Sequence, residues 1–188
     1  MKSKPLILLA AVTAALLIAG CGDDKNTTTA NTTDATSTAA TGSTADAGSP
    51  GKPPKVTGSL SKKPTIATPE GSPPTELVVK DIKKGTGKKA RKGDSVKVQY
   101  LGVNWSTGQE FDASWNAGKA FYFVLGEGMV IPGWDKGVVG MRVGGRRLLV
   151  IPPEMGYGAQ GQGTAIPPNE TLVFVVDLEA VQKSGHGG

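Results

Sequence analysis

All ten aromatic residues of this chain lie between Tyr100 and Phe174, and residues 1–99 contain none. Aromatic side chains bury more surface than most others, so the core of a small domain is usually built around them. With 188 residues the chain is long enough for one well-packed domain but hardly for two. The sequence therefore predicts a single folded domain in its C-terminal part.

The two residue types that most often anchor metal sites and catalytic triads are nearly absent. Cys21 is the only cysteine and His186 is the only histidine. One cysteine excludes an internal disulfide framework and a multi-cysteine zinc site. A histidine in a glycine-rich tail cannot anchor a catalytic triad inside the domain. We expect no metal and no cofactor.

The positive charge of the chain does not indicate a nucleic-acid partner. The formal net charge is +5, but residues 74–188 carry 14 basic and 11 acidic residues, an excess of only three. The densest basic stretch, residues 83–92, has no aromatic side chain that could stack on a base. We interpret this stretch as a solvated turn, with a weak anion contact as the alternative, and expect no nucleic-acid binding.

The N-terminus has the order of features of a secretory signal. Lys2 and Lys4 precede Leu6–Ala19, a run that is apolar apart from one threonine and is shorter than the roughly 20 residues that span a bilayer. Its end, L-I-A-G-C at 17–21, resembles a bacterial lipobox. This pattern predicts a lipoprotein signal peptide at 1–20, lipidation of Cys21, and an extracytoplasmic protein anchored to the bacterial cell membrane. The alternatives are an ordinary secreted protein cut nearby and a cysteine placed there by chance.

The segment after the cysteine is rich in threonine, serine, alanine, glycine and proline. Within residues 22–73 only Val56, Leu60 and Ile66 are large and apolar, too few to offset the entropy of ordering the segment. We therefore predict that 21–74 is the lipidated cysteine followed by a disordered tether, that 75–183 is the folded domain, and that 184–188 is a flexible tail.

From residue 75 onward, alternating hydrophobicity predicts short strands separated by glycine-rich turns. One segment, residues 132–140, has proline at its entry and glycine at its end, which is typical of a short helix. The expected architecture is α+β, a curved antiparallel sheet of about five strands wrapped on one short α-helix. The predicted strands cover residues 77–82, 94–103, 121–125, 146–151 and 171–181.

The string G-Y-G-A-Q-G at 156–161 has the spelling of a dinucleotide-binding loop. It follows Pro152 and Pro153 and leads into another proline-containing turn, so no helix can open there. Without the strand before it and the helix after it, the string does not predict nucleotide binding.

Several strings within residues 76–182 resemble the FKBP-type peptidyl-prolyl cis-trans isomerases, in the same order and with nearly the same spacing. The matching strings are V-Q-Y-L-G at 98–102, G-Q-E-F-D-A-S at 108–114, F-Y-F-V-L-G at 121–126, residues 130–140, Y-G-A at 157–159 and I-P-P-N-E-T-L-V-F at 166–174. The resemblance implies an FKBP-like fold and rotamase activity, without a covalent intermediate, on X-Pro bonds of unfolded exported proteins. It also implies binding of tacrolimus- and rapamycin-type macrolides.

The resemblance further implies a role for each residue of an aromatic pocket. Trp134 would form the floor, with Phe174 beside it, and Asp112 would be the one carboxylate near the twisting amide. Tyr157 would donate its hydroxyl to one substrate carbonyl, and the backbone N–H of Ile131 would donate to another. Besides these catalytic residues, the implied substrate-binding residues are Tyr100, Phe111, Phe121, Val130, Ile131 and Ile166.

Rotation about an X-Pro bond suits such residues on physical grounds. The barrier is about 18–20 kcal/mol because the amide loses its planar resonance. No bond breaks, so no nucleophile or metal is needed. Water stabilises the planar amide more than the twisted one, so an apolar pocket that excludes water favours the twisted form.

Three positions depart from the family pattern. Ala117 stands where many members have an arginine that pairs with the aspartate, so Asp112 is expected to rely on Tyr100 or a backbone donor. Gln162 replaces a histidine found in some members, and Ala165 is smaller than the usual branched residue. These departures leave open an alternative, a chaperone or adaptor of the same fold that binds proline-containing segments without useful turnover.

Overall fold

The computed structural model describes residues 51–183. The expected signal peptide, Cys21, the first part of the expected tether and the expected tail at 184–188 lie outside these described residues. The strands are β1 Val56–Thr57, β2 Thr65–Ile66, β3 Val78–Lys83, β4 Asp94–Asn104, β5 Glu110–Ala113, β6 Phe121–Val124, β7 Gly145–Ile151 and β8 Leu172–Lys183, and helix α1 is Pro132–Gly137, between β6 and β7.

Six of these strands form one antiparallel sheet in the order β3-β7-β8-β4-β5, with β6 pairing to β4 beyond the end of β5. The predicted fold class, an antiparallel sheet with one short helix, is confirmed. The sixth strand is β5, whose four residues E-F-D-A are too short to show a periodic pattern. The long strand β4 is the centre of the fold, because it pairs with β5, β6 and β8.

Helix α1 packs against the inner face of the sheet and is shorter than the predicted segment 132–140. Gly133 allows this packing: a Cβ added there would lie 2.4 Å from Cγ2 of Ile151 on β7. Arg147 holds the other end of the helix, donating from Nη1 to the carbonyls of Gly137 and Val139 at 2.8 and 3.1 Å. The helix is therefore fixed at a set height above the sheet.

The outer face of the sheet is covered by residues 51–74, which we call the N-terminal strap. The prediction that this part of the chain is disordered is wrong for the residues that the structure describes. The strap contains the hairpin β1–β2, with Val56 opposite Ile66, and both side chains pack on the outer hydrophobic cluster. That cluster consists of Leu101, Val103, Trp105, Ala113, Leu148, Val150, Val173 and Val175.

Polar contacts also hold the strap, and they explain why so few apolar residues suffice. Three of its carbonyls, those of Gly58, Ser59 and Lys62, accept hydrogen bonds from the guanidinium of Arg146 at 2.9, 3.2 and 3.1 Å. The indole N–H of Trp105 donates to the carbonyl of Gly71 at 3.1 Å. A composition-based argument counts only apolar side chains and therefore misses a segment held largely through its backbone carbonyls.

No helix within residues 51–183 has the length and apolar character needed to cross a membrane.

Candidate active site

A cavity of about 290 Å³ opens between helix α1 and the inner face of the sheet. The loop before α1, the connection between β7 and β8, and the strands β4, β5, β6 and β8 supply its walls. Its lining is aromatic or aliphatic except for one carboxylate and two phenol groups. The lining residues are Tyr100, Phe111, Asp112, Phe121, Met129, Val130, Ile131, Trp134, Tyr157 and Phe174.

Trp134, on helix α1, is the centre of the aromatic lining. Its ring contacts those of Tyr100 and Phe174 edge to face, each with centroids 5.2 Å apart. Phe121 and Phe123 lie against it with centroids at 6.2 and 5.7 Å. Edge-to-face contacts of this kind fix ring orientation as well as adding apolar area. The indole is only 4% exposed and forms the rigid floor of the cavity.

Two consecutive residues of β5, Phe111 and Asp112, both face the cavity, although neighbours on a regular strand point to opposite sides. The cause is a shift in strand register: Gly102 on β4 pairs with Asp112, whereas the next residue, Val103, pairs with Glu110. Such a bulge re-aims side chains. Gly102 also leaves room for two rings, because a Cβ there would lie 2.6 Å from Phe111 and 2.8 Å from Phe174.

Tyr100 is the hydrogen-bond partner of the carboxylate. Its phenol donates to Oδ2 of Asp112 at 2.5 Å, and the Asp112 carboxylate has no other hydrogen-bond partner among residues 51–183. Burial raises the pKa of Tyr100, and the hydrogen bond and charge of Asp112 raise it further. The phenol therefore remains a donor at physiological pH. This contact is the partner that the sequence suggested in place of the missing arginine.

The buried indole N–H of Trp134 has no hydrogen-bond acceptor within the described part of the chain. The hydroxyl of Tyr157 and the backbone N–H of Ile131, which precedes helix α1, also lack an acceptor there. Burial raises the pKa of Tyr157, and the nearby negative charge of Asp112 adds to this effect. The Tyr157 hydroxyl and the Ile131 N–H are therefore available to bind a carbonyl of a ligand.

Nine of the ten predicted pocket residues line the cavity, and the exception is Ile166. Ile166 is 4% exposed and belongs to the core beneath the cavity, where its backbone pairs with Gln162. Sequence reasoning missed Met129, which lines the cavity and is 62% exposed. Its sulfur accepts a hydrogen bond from Val124 N–H at 3.4 Å, a contact that no sequence pattern predicts.

None of the three departing positions, Ala117, Gln162 and Ala165, lines this cavity. Ala117 follows Asn116, whose side chain contacts Glu110 rather than Asp112. The carbonyl of Ala165 accepts a hydrogen bond from Asn104 Nδ2 at 2.8 Å. Asp112 thus has no cationic side chain as a partner among the described residues.

An inner cavity between one short helix and an antiparallel sheet of this order defines an FKBP-like domain, and comparisons with known proteins agree. Residues 86–179 match the family model of the FKBP-type peptidyl-prolyl cis-trans isomerases. The chain belongs to this family and is a peptidyl-prolyl cis-trans isomerase, or rotamase.

Individual relatives cover the domain closely. An FK506-binding protein of Streptomyces anulatus is 54% identical over 121 residues, 64% of this chain and 98% of the relative. A probable FK506-binding protein of Corynebacterium glutamicum is 48% identical over 117 residues, 62% of this chain and 97% of the relative. The crystal structure of AtFKBP13 is similar with a TM-score of 0.53 and 37% identity, over 57% of this chain and 94% of that one.

Proposed function

We propose that the cavity catalyses rotation of X-Pro bonds by excluding water from the amide and holding its flanking carbonyls. The observation that carries this proposal is the pairing of an aromatic cavity with two unoccupied donors, Tyr157 O–H and Ile131 N–H. The prolyl ring packs over Trp134 and between Phe111 and Phe174. The two donors then bind carbonyls of the substrate backbone and fix its orientation.

In this mechanism the apolar lining lowers the barrier by disfavouring the planar amide. The planar form is the more polar one, so it loses more solvation than the twisted form when water is excluded. Uncatalysed isomerisation takes about 10–100 s. A turnover of about 1 to 1,000 per second requires the barrier to fall by roughly 3–7 kcal/mol. Desolvation with two or three oriented polar groups is of that order.

Asp112 contributes electrostatics rather than proton transfer in this proposal. One of its oxygens accepts from Tyr100 and the other has no partner among residues 51–183. A carboxylate that faces the carbonyl carbon of the amide favours the twisted form, because this carbon becomes more electron-poor as donation from the nitrogen is lost. Its effect depends on its position relative to the bound amide.

A protease-coupled assay on a short peptide with an apolar residue before proline tests the mechanism. We expect the parent protein to accelerate isomerisation and the variants Asp112→Ala and Trp134→Ala to lose most of that acceleration. Circular dichroism checks that each variant is folded. If both folded variants accelerate isomerisation as much as the parent does, the mechanism proposed here is wrong.

We also propose that this cavity binds tacrolimus and rapamycin. The proposal is supported by the aromatic lining and by the FK506-binding names of the relatives from Streptomyces and Corynebacterium. Tacrolimus should inhibit the isomerase in the same peptide assay, and inhibition should weaken in Trp134→Ala. Full activity in the presence of saturating tacrolimus would contradict this proposal.

We further propose that the protein is a lipoprotein held on the outer side of the bacterial cell membrane, where it acts on exported proteins. The support is the sequence: a basic start, an apolar run of 14 residues and the lipobox-like ending at Cys21. Acyl chains contribute about 0.8 kcal/mol per buried methylene, and two or more chains give stable anchoring. The residues that follow would separate the isomerase domain from the membrane.

Metabolic labelling with a palmitate analogue tests the anchor. The parent protein should carry the label and sediment with membranes, and Cys21→Ser should carry none. A soluble, unlabelled parent would contradict the proposed anchor and leave the isomerase activity untouched.

A further inference from the structure

Lys63, in the loop between β1 and β2 of the N-terminal strap, contacts the part of the chain that carries Asp112. Its Nζ lies 2.8 and 2.7 Å from Oε1 and Oε2 of Glu110, and donates to Oδ1 of Asn116 at 2.9 Å. Asn116 Nδ2 donates in turn to Glu110 Oε1 at 2.7 Å. The three side chains therefore form a closed set of hydrogen bonds.

Glu110 and Asn116 are the two ends of the Asp112 segment, by which we mean residues 110–116. Asp112 lies two residues after the first and four before the second. The sheet supports this segment on one side only, because β5 is a four-residue strand paired solely with β4. The pairing is also irregular, since the bulge opposite Gly102 and Val103 lies within it. A contact that ties the two ends together restricts where Asp112 can be.

No other positively charged side chain in the described part of the chain forms a hydrogen bond or ion pair with a side chain of the Asp112 segment. Position 117 is alanine, and the carboxylate of Asp112 contacts only Tyr100. Both side chains of the Lys63–Glu110 ion pair are partly exposed: 37% of the lysine side chain and 33% of the glutamate side chain are accessible to solvent. A single exposed pair contributes little to stability, but positioning requires only that the segment be held in one arrangement.

We propose that Lys63 is a positioning residue for the isomerase reaction, holding the Asp112 segment at the cavity from a part of the chain that precedes the family-matched residues 86–179. It acts through Glu110 and Asn116 and touches neither the cavity lining nor the substrate. The proposal rests on the role of Asp112 proposed above. Residues 51–74 are then a functional part of the isomerase domain as well as a cover for its outer face.

The full-length protein tests this proposal in the protease-coupled peptide assay. Lys63→Met should lower kcat/KM by about three- to tenfold, mainly through kcat, because it displaces a group that acts in the transition state. Lys63→Arg, which keeps a cationic donor, should restore most of the loss. Lys62→Met removes the same charge one residue away, where the side chain makes no contact, and should match the parent.

A double-mutant cycle separates positioning from general loosening. In an Asp112→Ala background, Lys63→Met should have no further effect, because the group it positions is gone. Glu110→Gln should reproduce the loss of Lys63→Met and should not add to it. Lys63→Met and Glu110→Gln should both keep the parent's circular dichroism spectrum.

These measurements distinguish failure of the positioning role of Lys63 from failure of the proposed role of Asp112. If Asp112→Ala is impaired but Lys63→Met equals the parent, or lowers activity equally in both backgrounds, the positioning role is wrong and the proposed mechanism stands. An equal loss in Lys62→Met would also overturn it, since the effect would then be one of net charge. If Asp112→Ala keeps the parent's rate, the proposed role of Asp112 fails and the positioning role fails with it.

Discussion

Arg146 on β7 and Asp177 on β8 lie directly opposite each other in the sheet and form a buried two-bond ion pair, with Nε and Nη2 each 2.6 Å from a carboxylate oxygen. Their side chains are 2% and 9% exposed. The remaining donors of the guanidinium contact carbonyls of the strap. One arginine therefore joins two central strands to the segment that covers them.

Replacing the acid of this pair should be strongly destabilising. Asp177→Ala leaves the Arg146 guanidinium buried without its counter-charge, and breaking a buried pair in this way costs about 3–5 kcal/mol. Urea unfolding followed by circular dichroism measures the loss. Glu179→Ala is the matched control, since Glu179 lies on the same strand as Asp177 and forms a partly exposed pair with Lys97 of β4. This substitution should leave the free energy of unfolding nearly unchanged. Equal effects of the two substitutions would show that burial of the pair does not matter.

Removing the strap should expose the outer hydrophobic cluster. A protein that begins at residue 75 loses the apolar cover of Val56 and Ile66 and the three carbonyls that accept from Arg146. We expect its free energy of unfolding to be lower by about 2–5 kcal/mol than that of a protein that begins at residue 51. Urea unfolding of the two proteins side by side gives the difference. Equal midpoints would mean that the strap contributes no stability.

The inner half of this fold could be predicted from the sequence, and the outer half could not. Leu172, Phe174 and Val176 alternate along β8 and face the helix, as their spacing indicated. The residues between them, Val173 and Val175, are also apolar, and a continuous apolar run is typical of a strand covered on both faces. The sequence therefore held a signal that something covers the outer face. It held no signal for which segment does so, because the strap binds through backbone carbonyls.

The candidate active site could likewise be predicted from the sequence only in part. Aromatic residues in a family-like order identified the cavity lining, since such residues converge only when the strands pair as expected. The position of Asp112 depends on a bulge opposite Gly102, and that of Met129 on a loop contact with Val124. Ile166, which the resemblance assigns to substrate binding, belongs to the core cluster, and its backbone pairs with Gln162. Local irregularities of this kind are set by tertiary packing and have no sequence period.

Removing the Tyr157 hydroxyl should slow the reaction modestly. The hydroxyl has no acceptor among residues 51–183, so Tyr157→Phe costs the substrate one neutral hydrogen bond and leaves no protein group unpaired. Such a bond contributes about 0.5–1.5 kcal/mol, which corresponds to a two- to tenfold decrease in kcat/KM. Tyr122→Phe is the control, because Tyr122 is 59% exposed and lies outside the cavity lining. An unchanged rate for Tyr157→Phe would exclude a donor role for this phenol.

The rate should be nearly independent of pH between about 6 and 9. Burial raises the pKa of both Tyr100 and Tyr157 above the usual value of 10.0, so neither phenol loses its proton in this interval. The cavity lining includes no histidine, and histidine is the side chain that ordinarily titrates near neutrality. Measuring kcat/KM across this range in a chymotrypsin-independent fluorescence assay avoids the pH dependence of the protease. A bell-shaped profile centred near pH 7 would mean that proton transfer contributes to the reaction.

Acid should selectively remove the contact between the strap and the Asp112 segment. Burial acts to raise the pKa of Glu110, but hydrogen bonds from Lys63 and Asn116 and the charge of Lys63 outweigh it, so the pKa is lowered from its usual 4.5. A carboxyl with a lowered pKa in the folded state stabilises that state above its unfolded pKa, and this contribution is lost as the pH falls through the folded value. The difference in unfolding free energy between the parent and Lys63→Met should therefore be largest near pH 6 and should shrink towards pH 3. For Lys62→Met, the difference in unfolding free energy from the parent should show no such trend. If this difference stays constant for Lys63→Met between pH 6 and pH 3, Lys63 does not act through the Glu110 carboxylate.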